Sequence, residues 1–171
     1  MADPAPTLED LLRSCSRTAV HLEMRDGYMR SDPRFAAWQA GVRTGLTVAT
    51  SWLSVFAHTT SRGVAVRRAR IVSEPVSDYV RFEHHLSSAN VTAGEEIRWL
   101  PRRRASDLAL PGNDFWLFDD AVAVFHHFDG DGELAPDDEE VRTDTAAVKL
   151  CADAFAAVWT RAVPHPEYKV I

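Results

Sequence analysis

The stretch Asp114-Phe115-Trp116-Leu117-Phe118-Asp119-Asp120-Ala121-Val122-Ala123-Val124-Phe125-His126-His127-Phe128 decides the fold. Two short apolar runs, rich in aromatic and β-branched side chains, are split by a pair of aspartates, which predicts a hairpin turning through Asp119-Asp120-Ala121. Runs this apolar suit strands covered on both sides, so the hairpin belongs near the middle of a sheet. Upstream, Val64 to Val72 is a β-branched run between Gly63 and Pro75, and Glu95 to Leu100 alternates around Ile97 and Trp99. Both read as strands, with the doubled Arg67-Arg68 marking a bulge in the first. Between them Ser77 caps a helix carrying Tyr79, Phe82 and Leu86, and Arg102 to Leu108 is a short link. Downstream, Asp129-Gly130-Asp131-Gly132 is a turn. Val141, Thr145, Val148, Ala152, Phe155, Trp159 and Ala162 then share one face of the longest helix, which Pro164 and Pro166 terminate. Alternating strands and helices of this kind predict an α/β (α+β) fold, a mixed sheet covered by helices.

The N-terminal part is expected to extend this core. Thr7 with Asp10 caps a first helix, Val20, Leu22 and Met24 alternate with Ala19, His21 and Glu23, and Pro33 opens a helix before Phe35. The alternation predicts a strand with one dry face and His21 on the wet one. Val48, Trp52, Val55, Phe56 and Thr59 form a stripe at spacings of three and four, a helix over about 47–62. Residues 1–6 read as a flexible tail and 7–171 as one domain, mainly helical over 7–62 with a strand and helix core over 63–171. The core is expected from Trp52, Phe56, Ile97, Trp99, Phe115, Leu117, Val122, Val124, Phe155 and Trp159, with Trp159→Ala costing about 3–5 kcal/mol.

Composition narrows the function. At 171 residues, 46% hydrophobic and 26% charged, the chain is an ordinary globular domain rather than a disordered one. Its two cysteines, Cys15 and Cys151, exclude a multi-bridge scaffold and point to a reducing cytoplasm. No apolar segment is long enough to span a membrane. The net charge of -6 is uneven: residues 1–63 carry +1, 64–104 carry +3 and 105–171 carry -10. Direct nucleic-acid binding is not expected from so acidic a chain, because phosphate neutralisation needs a basic face.

Catalytic and metal motifs are lacking. His84-His85 and His126-His127 are adjacent pairs whose rings point apart, and no zinc spacing, GxSxG, GxxxxGK or GxGxxG occurs. Asp129, Asp131, Glu133 and Glu140 fit a calcium loop until its obligatory glycine, where Leu134 stands. No metal, cofactor or catalytic residue is assigned. Binding candidates are of two kinds. In the middle, Arg67, Arg68, Arg70, Arg81, Arg98 and Arg102-Arg103-Arg104 offer forks for phosphate or carboxylate, or form a surface neutralised by Glu74, Asp78, Glu83, Glu95 and Glu96. Later, Asp119 and Asp120 pair at the hairpin tip, and Asp137, Asp138, Glu139 and Glu140 lie in a segment, Asp129 to Glu140, with seven acids in twelve residues. That density suits either a recognition strip for a basic partner or a solvated loop.

Several segments together resemble a known family. Val72-Ser73-Glu74-Pro75 with Asp78 to Glu83, Ala93 to Arg98 with Leu100-Pro101-Arg102, and Asp114 to Asp120 resemble an uncharacterised actinobacterial domain-of-unknown-function family. Leu22 to Asp26 and Trp159 to Pro164 with Tyr168 fit it as well. The resemblance implies a cytoplasmic protein often encoded beside a helix-turn-helix regulator, and it implies no activity. The order of elements also looks like half of a phospholipase D-type domain. That family's catalysis implies a nucleophilic His with a phosphate-holding Lys two residues later. Here the corresponding residues are Glu23, Thr60, Leu86, Ser87, Phe128, Asp129 and Glu167, so a likeness of fold implies an absent active site. The reading is a non-enzymatic regulatory or interaction protein whose partner is a helix-turn-helix regulator. The alternative is a small-ligand sensor, or enzyme, for nucleotides or phosphate esters, using the middle arginines.

Overall fold

The computed structural model describes residues 5–46 and 48–171. The elements are α1 (Leu8–Ser14), β1 (Thr18–Glu23), α2 (Pro33–Gln39), α3 (Thr50–Ser61), β2 (Ala65–Val72), α4 (Asp78–Thr92) and β3 (Glu96–Pro101). They continue with β4 (Phe115–Phe118), β5 (Val122–Phe128), β6 (Leu134–Arg142), α5 (Thr145–Arg161) and β7 (Val163–Pro164). Local signals set most boundaries. Thr7 and Asp10 form a reciprocal capping box, Asp32 and Ser77 accept from the first turns of α2 and α4, and Asp144 does so for α5. The start predicted for α3 at Thr47 lies outside the described residues, as do residues 1–4 of the expected tail.

The strands form one mixed sheet in the order β6-β5-β4-β1-β2-β3-β7. The β1–β2 and β2–β3 pairs are parallel and the rest antiparallel. The part read as an N-terminal extension therefore contributes a strand, β1, to the middle of the sheet. The predicted hairpin is present: Phe118 pairs with Val122 across the three-residue loop Asp119-Asp120-Ala121, in which both aspartates are left-handed at φ of 52° and 54°. Asp119 is committed to structure: its carboxylate accepts from the backbone N–H groups of Ser16, Arg17 and Thr18 and ties the turn to the start of β1.

Each strand divides its residues between two covers. Val20, Leu22, Ala69, Ile71, Leu100, Phe115, Leu117 and Ala123 face α5, where Cys151, Ala154, Phe155 and Val158 complete a dry core. The alternate residues face the layer of α1, α3 and α4. Several expectations are corrected here. His21, expected on a wet face, is 8% exposed, because α3 and α4 cover the side it shares with Glu23. No bulge interrupts β2 at Arg67-Arg68, whose register with β1 and β3 is continuous. The turn at Asp129-Gly130-Asp131-Gly132 is present, but the acidic segment after it, read as a strip or solvated loop, is the edge strand β6, and Val141 belongs to it, not to α5. Pro136 is tolerated there because the ladder with β5 is irregular between His126 and Phe128 and the strand has no outer neighbour. Of the expected core, Trp52 is exposed at 36%, while Val122 and Trp159 are only half-buried. The chain end packs back: β7 joins β3, and the Tyr168 ring stacks on Trp99 with centroids 5.5 Å apart.

Candidate functional site

The sheet face under α3 and α4 is not filled. A cavity of about 480 Å³ lies there, floored by β1, β2, β4 and β5 and walled by α3, α4 and the loop after β1. Its floor follows from strand geometry. His21 and Glu23 are two apart on β1 and pair in parallel register with Arg68 and Arg70 of β2, so all four side chains share one face. Trp116 lies opposite His21 on the other flank of β1, and His126 comes from β5. The rim adds Asp138 and Glu139 of β6, Trp52 and Phe56 of α3, and Tyr79, Glu83 and Asn90 of α4.

The charged groups form one buried network. Arg68 Nη1 donates to Glu23 Oε1 at 2.7 Å, and its Nε donates to Glu95 Oε1 at 2.7 Å. Glu95, only 1% exposed, also accepts from Asn90 Nδ2 at 2.7 Å. Arg70 Nη2 stands 2.7 Å from Glu83 Oε2, and Tyr79 donates its hydroxyl to Glu83 Oε1 at 3.0 Å. Removing charges from water is costly, and a network of this density is retained only because each guanidinium meets two carboxylates. Burial pulls the pKa of Arg68 down, but Glu95 and Glu23 more than offset it and hold the guanidinium above its ordinary value. Arg70 is raised likewise, with Glu23 and Glu83 opposing burial.

Some capacity in this network is unused. Arg70 Nε and Glu23 Oε2 are 3.0 Å apart, paired in charge but too far off the N–H direction to count as hydrogen-bonded. His21 Nδ1 and His126 Nε2 are also buried without a partner. Burial lowers the pKa of both histidines, and for His21 the nearby Arg68 and His126 add to that, so the two rings are neutral at neutral pH. Beside them burial pushes Asp114 up to about 6, although Tyr28 donates its hydroxyl to Oδ2 and the Met24 N–H donates to Oδ1 at 2.9 Å.

Four of the binding candidates from sequence line the cavity: Arg68, Arg70, Asp138 and Glu139. The others lie elsewhere. Arg102 clamps the ends of β1 and β2, donating to Ser73 Oγ and to the carbonyls of Met24 and Ile71. Arg98 lies 4.3 Å over the ring of Trp159 on the α5 side, and Arg81 is half-buried on α4. Asp120 is exposed in the hairpin turn and Asp137 on β6, while Glu140 pairs with Arg142 and His127. In the calcium-loop segment Asp129 Oδ1 accepts from the N–H groups of Asp131 and Glu133, and Glu133 holds Ser31. Among the described residues no group of three or more His, Cys, Asp or Glu is placed to hold a metal ion. Sequence reading missed His21 and Glu23 as parts of this site, and it placed Glu83 and Glu95 on the surface, whereas their pairs with Arg70 and Arg68 are buried. The available signal was the pair of alternations His21-x-Glu23 and Arg68-x-Arg70 on adjacent strands, charged at every second position inside otherwise apolar runs.

Residues 6–170 match a family described only as a domain of unknown function, DUF6879. The chain belongs to that family. No curated protein sequence matches this DUF6879 chain. Among solved structures it resembles a phospholipase D family member, Nuc from Salmonella typhimurium, with a TM-score of 0.52 and 8% identity over 91% of this chain and 86% of that one. At that identity the likeness is one of fold alone, and it makes the DUF6879 domain phospholipase D-like in architecture. TrmBL2, described as an archaeal chromatin protein with a novel mode of DNA binding, matches with a TM-score of 0.46 and 12% identity. That match covers 90% of this chain and 47% of TrmBL2, and nothing here rests on it. Among the described residues of the DUF6879 chain no helix is long and apolar enough to cross a membrane.

Proposed function

We propose that this domain is a non-enzymatic, cytoplasmic regulatory module that binds a small ligand in the cavity beneath α3 and α4. One observation carries the reading. Four buried side-chain atoms without a hydrogen-bond partner, His21 Nδ1, Glu23 Oε2, Arg70 Nε and His126 Nε2, belong to residues that line this one cavity. Arg70 Nε and Glu23 Oε2 neutralise each other's charge at 3.0 Å, so the cost of about 1–3 kcal/mol per unpaired atom falls on the two histidine nitrogens, and a bound molecule relieves it. A volume of about 480 Å³, aromatic walls and a few convergent polar groups are the ordinary features of a small-molecule site. The partner in this proposal is a helix-turn-helix regulator that reads the occupied state, and the unpaired acidic edge of β6 suits a basic partner surface. A phosphate-ester ligand is the poorer fit, because carboxylates already occupy both floor arginines.

The test is a thermal-shift screen of diverse metabolites against the wild-type chain and Trp52→Ala, a change at an exposed wall residue that leaves the fold in place. A true ligand at about a hundred times its Kd adds about 2.7 kcal/mol of stability. That gain is expected to shrink in Trp52→Ala. Equal stabilisation of both proteins by every hit would move the site away from this cavity. Phosphodiester turnover lost on His21→Ala or His126→Ala would overturn the non-enzymatic part.

A further inference from the structure

Resting on the cavity as a ligand site, we infer that its ligand is a planar organic cation carrying N–H donors, of the amidinium, guanidinium or protonated amino-heterocycle class. Charge is the first argument. Glu23, Glu83, Asp114, Asp138 and Glu139 line the cavity against Arg34, Arg68 and Arg70, five carboxyl groups to three guanidinium groups. The positive charges are spoken for: Arg68 bonds Glu23 and Glu95, Arg70 faces Glu23 and Glu83, and Arg34 pairs with Asp32. An anion entering here would meet carboxylates without a free cation on the floor, whereas a cation would complete the balance.

Hydrogen-bonding capacity is the second argument, and it is independent of net charge. Of the unpartnered atoms, Glu23 Oε2 is an acceptor only, and His21 Nδ1 and His126 Nε2 belong to imidazoles that offer one acceptor nitrogen each when neutral. His21 and Glu23 are 8% and 9% exposed, so water does not satisfy them freely. Each neutral ring also carries one N–H, so free donors and acceptors balance, and a ligand with N–H groups finds Glu23 Oε2 and one nitrogen of each ring to accept them.

Shape is the third argument. His21 stacks on Trp116 with centroids 4.4 Å apart, Phe56 stacks on Trp116 at 6.2 Å, and Trp52 on Phe56 at 6.0 Å. These near-parallel rings line one wall with aromatic surface, and Trp52, the exposed end of the series, offers a ring face that attracts a delocalised cation more than an anion.

Three probes of one shape separate the alternatives: benzamidine (cation), benzamide (neutral) and benzoate (anion), titrated by calorimetry into the full chain. Benzamidine is expected to bind about tenfold or more tightly than benzamide, and benzoate not to bind. In the double variant Asp138→Asn, Glu139→Gln, both changes at the cavity rim, the amidine-to-amide affinity ratio is expected to fall several-fold while thermal unfolding stays unchanged. Benzoate binding as tightly as benzamidine would overturn the cation assignment while leaving the cavity a ligand site. So would an amidine-to-amide ratio that the double variant does not change. Binding by none of the three also overturns the assignment, and the metabolite screen then decides separately whether the cavity reading survives.

Discussion

The same strands show two different physics on their two faces. Toward α5, Leu22, Ile71, Phe115 and Leu117 are 0–1% exposed and meet only apolar partners. Toward α3 and α4, one residue along in each strand, the chain places His21, Glu23, Arg68, Arg70 and Trp116 around a cavity. The dry face gains from every methylene it buries, about 0.8 kcal/mol for each CH₂. The cavity face carries charges whose desolvation roughly cancels their attraction, so it contributes far less to stability than its bond count suggests. The contrast teaches that the α5 face holds the fold, which leaves the opposite face free to keep unfilled volume and unpaired polar atoms.

Four experiments break or sharpen this contrast. The largest effect is expected from Phe115→Ala. Phe115 is wholly buried and packs edge-on against Phe125, so chemical denaturation should show a loss of about 3–5 kcal/mol, with cavity binding intact in the folded fraction. A loss under about 1 kcal/mol would mean that the α5 face is not the main support. On the cavity face, Glu95→Gln removes a charge from Arg68 but keeps the shape. A cost of about 3 kcal/mol is expected, since breaking a buried pair is far worse than never having made it. Replacing Arg68, Glu95 and Glu23 together by apolar residues, with Arg70 left on Glu83, should recover most of that loss, and failure to recover would show that the network is net stabilising.

Asp114 makes the contrast depend on pH. Folding raises its pKa to about 6, so between the unfolded value near 4 and that point the folded chain holds a proton that the unfolded chain has released. The resulting stability is fully present below about pH 4 and is lost as pH climbs through about 6. Asp114→Asn stays neutral throughout, and its stability relative to wild type should therefore rise by about 2–3 kcal/mol across that window. A pH-independent difference between the two proteins would show that Asp114 is not perturbed. The smallest effect is expected from Trp159→Ala. Trp159 stacks on Phe155 at 5.4 Å and lies beneath Arg98, but it is only half-buried. Unfolding should register about 1–2 kcal/mol, below the 3–5 kcal/mol that its helical stripe alone suggested.

Much of the scaffold was legible because its causes are local. The Thr7 and Asp10 capping box, the Pro33 and Ser77 helix starts, the Asp119-Asp120 turn and the stripe of α5 each depend on neighbours a few residues away. The site was legible only in part. Arg68, Arg70, Asp138 and Glu139 stood out as charges, but nothing local distinguished them from Arg102, which clamps two strand ends, or Asp137, which is exposed. β6 was missed because acids and Pro136 argue against a strand, and its support comes from segments outside it, the ladder with β5 and the packing of Val141 on the core under α1 and α3.

Alternation within β1 and β2 determined by itself that His21 shares a face with Glu23, and Arg68 with Arg70, since strand side chains repeat every second residue. Whether that face meets water or a helix layer was decided only in the tertiary structure, by the crossing of α3 and α4 over the sheet. Periodicity fixes which residues face together, while burial depends on segments far away in the chain. That distant cover is what turned an ordinary polar face into a partly covered cavity holding Arg68, Arg70, Glu23 and two neutral histidines.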